Sequence, residues 1–184
     1  MRGYFAIGVE GVTKAMNVGA LMRTAHAFGA SFVFTIAANY ARDEGRLADT
    51  SDAPGSLPFY EFGSVADFAL PRDCELVGVE LMDDAVELPS FRHPRAAAYV
   101  MGPERGSLSP DLVARCAHVV KIPTRFSINL SLAGALVMYD RLVSRGRFPA
   151  RPVSPGGPVE PLERHAVAPP KIRRPRPLSA AGTD

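Results

Sequence analysis

The sequence contains no tryptophan and only two cysteines. Cys74 and Cys116 lie far apart and outside any CxxC or Cys/His spacing, which excludes a disulfide framework and leaves a zinc site without its ligand pairs. Both are expected to be free thiols. The four histidines, His26, His93, His118 and His165, are scattered, so no nucleophile–base pair can be read from them. Apolar runs such as residues 31–38 fall far short of the roughly 20 residues a membrane helix needs. The start of the chain has no signal-peptide architecture, which predicts a cytoplasmic protein. There is no GxGxxG and no phosphate-binding GxxxxGK loop, so neither a dinucleotide nor a nucleoside triphosphate is indicated.

What is present suffices for one folded domain. The chain has 184 residues, 47% hydrophobic and 22% charged, within the range of an ordinary globular domain. The net charge of +2 is unevenly spread. Residues 1–148 carry 15 Lys+Arg against 16 Asp+Glu, whereas residues 149–184 carry 6 against 3. A near-neutral body with a basic tail points weakly to a polyanionic partner. Nine of the 17 prolines fall between Pro149 and Pro177, so that segment cannot build a core and is expected to be extended or disordered. The expected organisation is a folded domain over residues 1–148 and a Pro-rich basic tail over residues 149–184.

Within the body, glycine and proline punctuate a repeated strand-then-helix pattern. Strands are predicted at residues 4–9, 31–37, 75–81, 97–101 and 118–122, each a short apolar run. Residues 17–28 predict a helix, with Val18, Leu21, Met22, Ala25 and Phe28 at spacings of three and four. Asn17 is its expected cap and Gly29 its stop. Short helices are predicted at residues 64–68 and 111–116, the latter capped by Ser109 with Pro110 at its first position. A final helix is predicted from 127–129 to about 144. Residues 38–58 are polar and turn-rich and predict a long loop. Strand–helix alternation with near-continuous apolar strands predicts an α/β fold, a parallel sheet with helices on both faces.

Three segments carry candidate chemistry. In the first, Asn17-Val-Gly-Ala-Leu-Met-Arg23-Thr24, Arg23 interrupts an apolar stretch, and a cation there needs a partner or a task. In the second, the apolar strand ending Tyr99-Val-Met leads into Gly102-Pro-Glu104-Arg-Gly106-Ser-Leu108-Ser109. Ligands in open α/β sheets bind beyond the carboxyl ends of strands, and Gly102 lets one approach the backbone. In the third, Ile122-Pro123 ends a strand and Ser127-Ile128-Asn129-Leu-Ser131 opens a helix. Three polar residues there exceed what one cap requires. Each segment alone is equally readable as an ordinary turn, cap or boundary residue.

Together and in this order, Asn-x-Gly-x-x-x-Arg-Thr, Gly-Pro-Glu-x-Gly-x-Leu and Ile-Pro…Ser-Ile-Asn-Leu-Ser, the segments resemble the three motifs of the SpoU/TrmH family of SPOUT methyltransferases. The resemblance spans roughly residues 4–147. It implies an S-adenosylmethionine-dependent RNA methyltransferase, acting on a ribose 2′-hydroxyl of tRNA or rRNA, with no metal. It implies a C-terminal deep trefoil knot, which pattern reading alone would reject. The knot would hold the cofactor, with contacts near Val79, Gly102, Ile122, Ser127 and Ile128. The catalytic positions carried over are Arg23, Asn17, Glu104, Ser127 and Asn129. The resemblance also implies a homodimer with a shared active site, Arg23 lying beside the partner's cofactor. The family assigns deprotonation of the hydroxyl to the arginine; since a guanidinium holds its proton to above about pH 12, phosphate binding and electrostatic stabilisation are the other role open to it. The position often Leu or Met in the third motif is Ile128. Target RNA is expected to be gripped by the dimer surface, the 38–58 loop and the tail cations Arg164, Lys171, Arg173, Arg174 and Arg176. Other readings are a non-catalytic RNA-binding knotted dimer and a base-methylating SPOUT enzyme.

Overall fold

The computed structural model describes residues 3–40 and 57–157. By contacts the chain divides into two units, Met1–Arg147 and Phe148–Asp184. Most of the 38–58 segment and all five tail cations fall outside the described residues. Among its described residues the first unit contains seven strands: β1 (Tyr4–Glu10), β2 (Phe32–Ile36), β3 (Phe59–Phe62), β4 (Glu75–Val79), β5 (Val86–Glu87), β6 (Ala96–Met101) and β7 (His118–Lys121). The described residues also form three α-helices, α1 (Ala15–Phe28), α2 (Pro110–Arg115) and α3 (Leu130–Arg145), and a 3-10 turn at Leu88–Ser90. All pairings are parallel, and the sheet order is β3-β2-β1-β6-β4-β7-β5. The expected α/β class with a parallel sheet is therefore what the chain adopts.

Both faces of this sheet are covered, which is why its central strands are apolar at successive positions rather than alternate ones. Odd-numbered residues of β1, β2, β4 and β6 (Ile7, Val33, Val77, Tyr99) pack with Leu21 and Met22 of α1 and Val137 and Met138 of α3. Even-numbered ones (Ala6, Phe34, Leu76, Val100) pack with Phe68 and with Leu112 of α2. The close approach of α1 and α3 depends on Gly134, where an added Cβ would lie 2.5 Å from Leu21 Cδ1. No helix among the described residues is long and apolar enough to cross a membrane. Cys74 and Cys116 are free and half-buried; burial pushes both thiols up to about 11.

Several local expectations need correction. Helix α1 starts at Ala15, two residues before the expected cap, and Asn17 is buried within it. The Gly29 stop is as expected, with φ of 74° in the left-handed region. Residues 64–68 form turns rather than a helix, closed by the Ser64 hydroxyl donating to Asp67 Oδ2 at 2.7 Å. Strands β3 and β5, at the two edges of the sheet, were not expected.

On the α1/α3 face the C-terminal helix is anchored by a buried polar cluster. Arg141, 3% exposed, donates to the Tyr99 hydroxyl at 3.0 Å and to the carbonyls of Pro94, Tyr4 and Arg95. His93, 2% exposed, lies 2.6 Å from the Tyr99 hydroxyl through Nδ1 and 2.8 Å from Asp140 through Nε2. One proton arrangement satisfies all of them: Tyr99 accepts from Arg141 and donates to Nδ1, while Nε2–H donates to Asp140. Burial lowers the His93 pKa despite the Asp140 contact, which keeps that neutral tautomer.

Candidate active site

Strands β6, β4 and β7 are neighbours, and the chain leaving the carboxyl end of each forms one wall of a cavity. The three walls are residues 79–81, residues 101–106, and Ile122 and Thr124 with residues 127–130, joined by Lys14 and Ala133. The volume is about 520 Å³, within the roughly 300–1,000 Å³ common for small-molecule sites. This is the location that ligands favour in open α/β sheets. All five residues expected near a cofactor, Val79, Gly102, Ile122, Ser127 and Ile128, line it. So do Glu104 and Asn129. Asn17 lies behind the wall, hydrogen-bonded to both. Arg23 is exposed on α1, almost two turns beyond Asn17, and is not part of the wall.

A continuous hydrogen-bond chain joins the three motifs. Asn129 Nδ2 donates to Asn17 Oδ1 at 3.3 Å, and Asn17 Nδ2 donates to Glu104 Oε1 at 2.8 Å. The Glu104 carboxylate also accepts from the backbone N–H of Lys14 (3.1 Å) and of Thr13 (3.2 Å) and from the Thr13 hydroxyl (3.2 Å). An ionised carboxylate only accepts, so it dictates which way each amide turns. Asn17 must offer its nitrogen to Glu104 and its oxygen to Asn129. Asn129 then offers its own oxygen to Ser131, N–H at 2.9 Å and hydroxyl at 2.7 Å, and so caps α3.

Glu104 does for α1 what Asn17 was expected to do. Lys14 at the helix start makes no side-chain cap, and the negative charge of Glu104 sits where the helix dipole and free N–H groups favour it. Partial burial opposes ionisation, but the bonds from Asn17 and from the backbone of Glu104, Thr13 and Lys14 outweigh it, so the carboxyl is held below its usual range.

Two further carboxylates shape the site and were missed in the sequence. Glu10, ending β1, accepts from Ser109 N–H at 2.7 Å and from its hydroxyl at 2.5 Å. Glu80, directly after β4, accepts from Leu81 N–H and Leu108 N–H, both at 2.9 Å. With Glu104 they pin the 102–109 loop at three points. Each sits at the carboxyl end of a buried parallel strand, and a carboxylate at that position is the signal that was available. Ser109 also caps α2 as expected, accepting from Leu112 N–H at 3.3 Å.

The cavity suits an adenosyl group carrying a charged tail. Val79, Leu81, Ile122, Ile128, Leu130 and Ala133 offer an apolar slot, while the rim is polar. Gly102 keeps the wall tight, because a Cβ there would lie 2.9 Å from Leu108 N and 3.1 Å from Ser107 C. Among the described residues no group of three His, Cys, Asp or Glu could hold a metal ion.

This fold and site define a class, the α/β proteins with a ligand cavity at the carboxyl ends of three adjacent parallel strands. The particular family follows from comparison: residues 4–139 match the model of the SpoU rRNA methylase family, and the chain belongs to it. It is 24% identical over 137 residues to the tRNA (guanosine(18)-2′-O)-methyltransferase TARBP1 of Mus musculus, covering 70% of this chain and 9% of that protein. The fold is similar to the SpoU methyltransferase AviRb from Streptomyces viridochromogenes in complex with AdoMet, with a TM-score of 0.69, 22% identity, and coverage of 78% of this chain and 58% of that one. It is also similar to a protein solved in a study of the 2-OH methylation of C/U34 on tRNA, with a TM-score of 0.68, 22% identity, and coverage of 78% and 97%. The chain thus spans a small part of the mouse protein and little more than half of AviRb.

Proposed function

We propose that the chain is an S-adenosylmethionine-dependent RNA methyltransferase acting on a ribose 2′-hydroxyl of tRNA or rRNA. The observation that carries this reading is the junction of the three motifs at one cavity, through Asn129, Asn17 and Glu104. Membership of the SpoU family and the activities in the names of its relatives support it.

When bound, the cofactor supplies a methyl group on a sulfonium. Val79, Gly102, Ile122, Ser127 and Ile128 would hold it, largely through apolar contact and backbone groups. Asn17 and Glu104 are positioning residues: they fix Asn129 and the first turn of α1 against the cavity. A hydroxyl is a poor nucleophile until its proton is removed or polarised. Arg23 is assigned the task of holding the target phosphate and stabilising the negative charge that grows on the 2′-oxygen. Since Arg23 is exposed and outside its own chain's cavity wall, we assign it to the site of a second subunit in a homodimer. The exposed stripe Leu132, Leu136, Tyr139 and Val143 on α3, at spacings of four, three and four, is the contact surface in this reading.

A trefoil knot over the C-terminal part of the first unit completes the proposal. Its support is the position of β7 between β4 and β5, two strands consecutive in sequence, so that residues 118–121 pair inside the arc that joins β4 to β6. Residues 1–148 are the methyltransferase domain, and residues 149–184 form a basic tail that follows RNA phosphates. The cytoplasm is the compartment where such a substrate is met.

Methyl transfer from labelled S-adenosylmethionine to unmodified tRNA and rRNA, followed by nucleoside analysis, tests the function. Product with the parent and none with Arg23→Ala is the expected result. Cofactor binding with no transfer to either RNA would overturn it.

A further inference from the structure

Beside the cavity, the 122–129 loop presents Phe126 to solvent. The residue is 74% exposed. It belongs to neither core and has no aromatic or cation partner among the described residues. Leaving such a side chain in water forgoes roughly 1.5–3 kcal/mol of burial. The loop is held at both ends, by Thr124 N–H donating to Ile122 carbonyl at 2.7 Å and by Asn129 capping α3. Thr124 and Ser127, on either side of Arg125 and Phe126, line the cavity, so the backbone of these two residues runs along its edge.

Three cations share this rim. Lys14 and Arg105 line the cavity and Arg125 precedes Phe126; all are exposed, and none has an ion pair or side-chain hydrogen bond among the described residues. The neighbouring carboxylates Glu104 and Glu80 keep their charge but are turned to backbone N–H groups rather than paired with these cations. A planar apolar ring beside three cations that make no ion pair fits a ligand that is both planar and polyanionic. The exposed stripe of α3 is different in kind, being aliphatic along its length apart from Tyr139.

We propose that Phe126 is a stacking platform for one base of single-stranded RNA, with Arg125, Arg105 and Lys14 meeting the flanking phosphates. This positions a nucleotide at the mouth of the cavity without reading which base it is, because every base has a π-face. The proposal rests on the RNA methyltransferase reading and deepens it.

The test is equilibrium binding of a short fluorescent single-stranded oligoribonucleotide, and of its abasic counterpart, to protein saturated with S-adenosylhomocysteine. Methyl transfer to tRNA is measured in parallel. Phe126→Ala should weaken RNA binding about 5- to 150-fold, the equivalent of ~1–3 kcal/mol per stacked base. It should leave the abasic oligomer, cofactor affinity and sedimentation unchanged, and Phe126→Trp should restore RNA binding. Arg125→Ala should weaken both oligomers. Equal RNA affinity for parent and Phe126→Ala would overturn the proposal, while continued methyl transfer would leave the enzymatic reading standing. A Phe126→Ala protein that falls from dimer to monomer would overturn it by assigning the ring to a subunit contact. A parent that shows the Phe126-dependent binding but transfers no methyl group would contradict only the enzymatic reading.

Discussion

Replacing Glu104 by glutamine keeps the shape of the side chain and removes its charge, and the consequence can be worked through bond by bond. In the parent, Oε1 accepts from Asn17 and Lys14, and Oε2 accepts from the Thr13 N–H and hydroxyl. A glutamine has one accepting and one donating end. With its oxygen towards Asn17 and Lys14, its NH2 faces the Thr13 N–H, which cannot turn, although the Thr13 hydroxyl can. One bond is lost outright and the others fall from charge-assisted to neutral strength. Thr13 and Lys14 are exposed, so water takes up the freed donor, and the net loss is about 1–2 kcal/mol. For a chain of this length that lowers Tm by about 2–8 °C. The pH dependence has a definite sign. The folded-state pKa of Glu104 lies below the usual value near 4.5, so its stabilisation is fully present above that value and is lost as pH falls through the folded pKa. The gap between parent and Glu104→Gln should be widest at pH 7 and narrow as pH falls below about 4.5. Thermal unfolding followed by circular dichroism across that range measures it. An equal gap at both ends, or none at pH 7, would refute the capping role.

Further outcomes follow from the same geometry. Gly102→Ala puts a Cβ 2.9 Å from Leu108 N, and should weaken S-adenosylmethionine binding about tenfold or more by calorimetry while the fold survives. Tyr99→Phe leaves His93 Nδ1 buried without its partner, and should cost about 1–3 kcal/mol in urea unfolding. Because the folded His93 pKa is lowered from 6.5, the parent should lose stability as pH falls below that value, and a His93→Gln variant should show a flatter profile there. Leu136→Asp, on the exposed stripe of α3, should convert a particle of twice 19.7 kDa to a monomer in sedimentation.

Much of the architecture was legible because its signals are local. The apolar runs of β1, β2, β4, β6 and β7, the left-handed Gly29 and the Ser109-Pro110 helix start each depend on a few neighbouring residues. Strands β3 and β5 were not legible, since edge strands are short and half-exposed and have no continuous apolar run. The start of α1 was misread because its acceptor is Glu104, about 90 residues away, and no local pattern encodes a cap that distant. The cavity wall was legible through the motifs at the ends of β6 and β7, and at Val79 through the family resemblance, whereas Glu10 and Glu80 act by bonds to a remote loop.

Ribose methylation itself has a chemical signature independent of sequence likeness. A 2′-O-methyl group removes the nucleophile that alkali needs to cleave the adjoining phosphodiester. RNA labelled by this protein from S-adenosylmethionine should therefore release its label in alkali-resistant dinucleotides, and Arg23→Ala and Asn129→Ala should each abolish it. Label recovered only in alkali-sensitive mononucleotides would place the methyl group on a base and contradict the account.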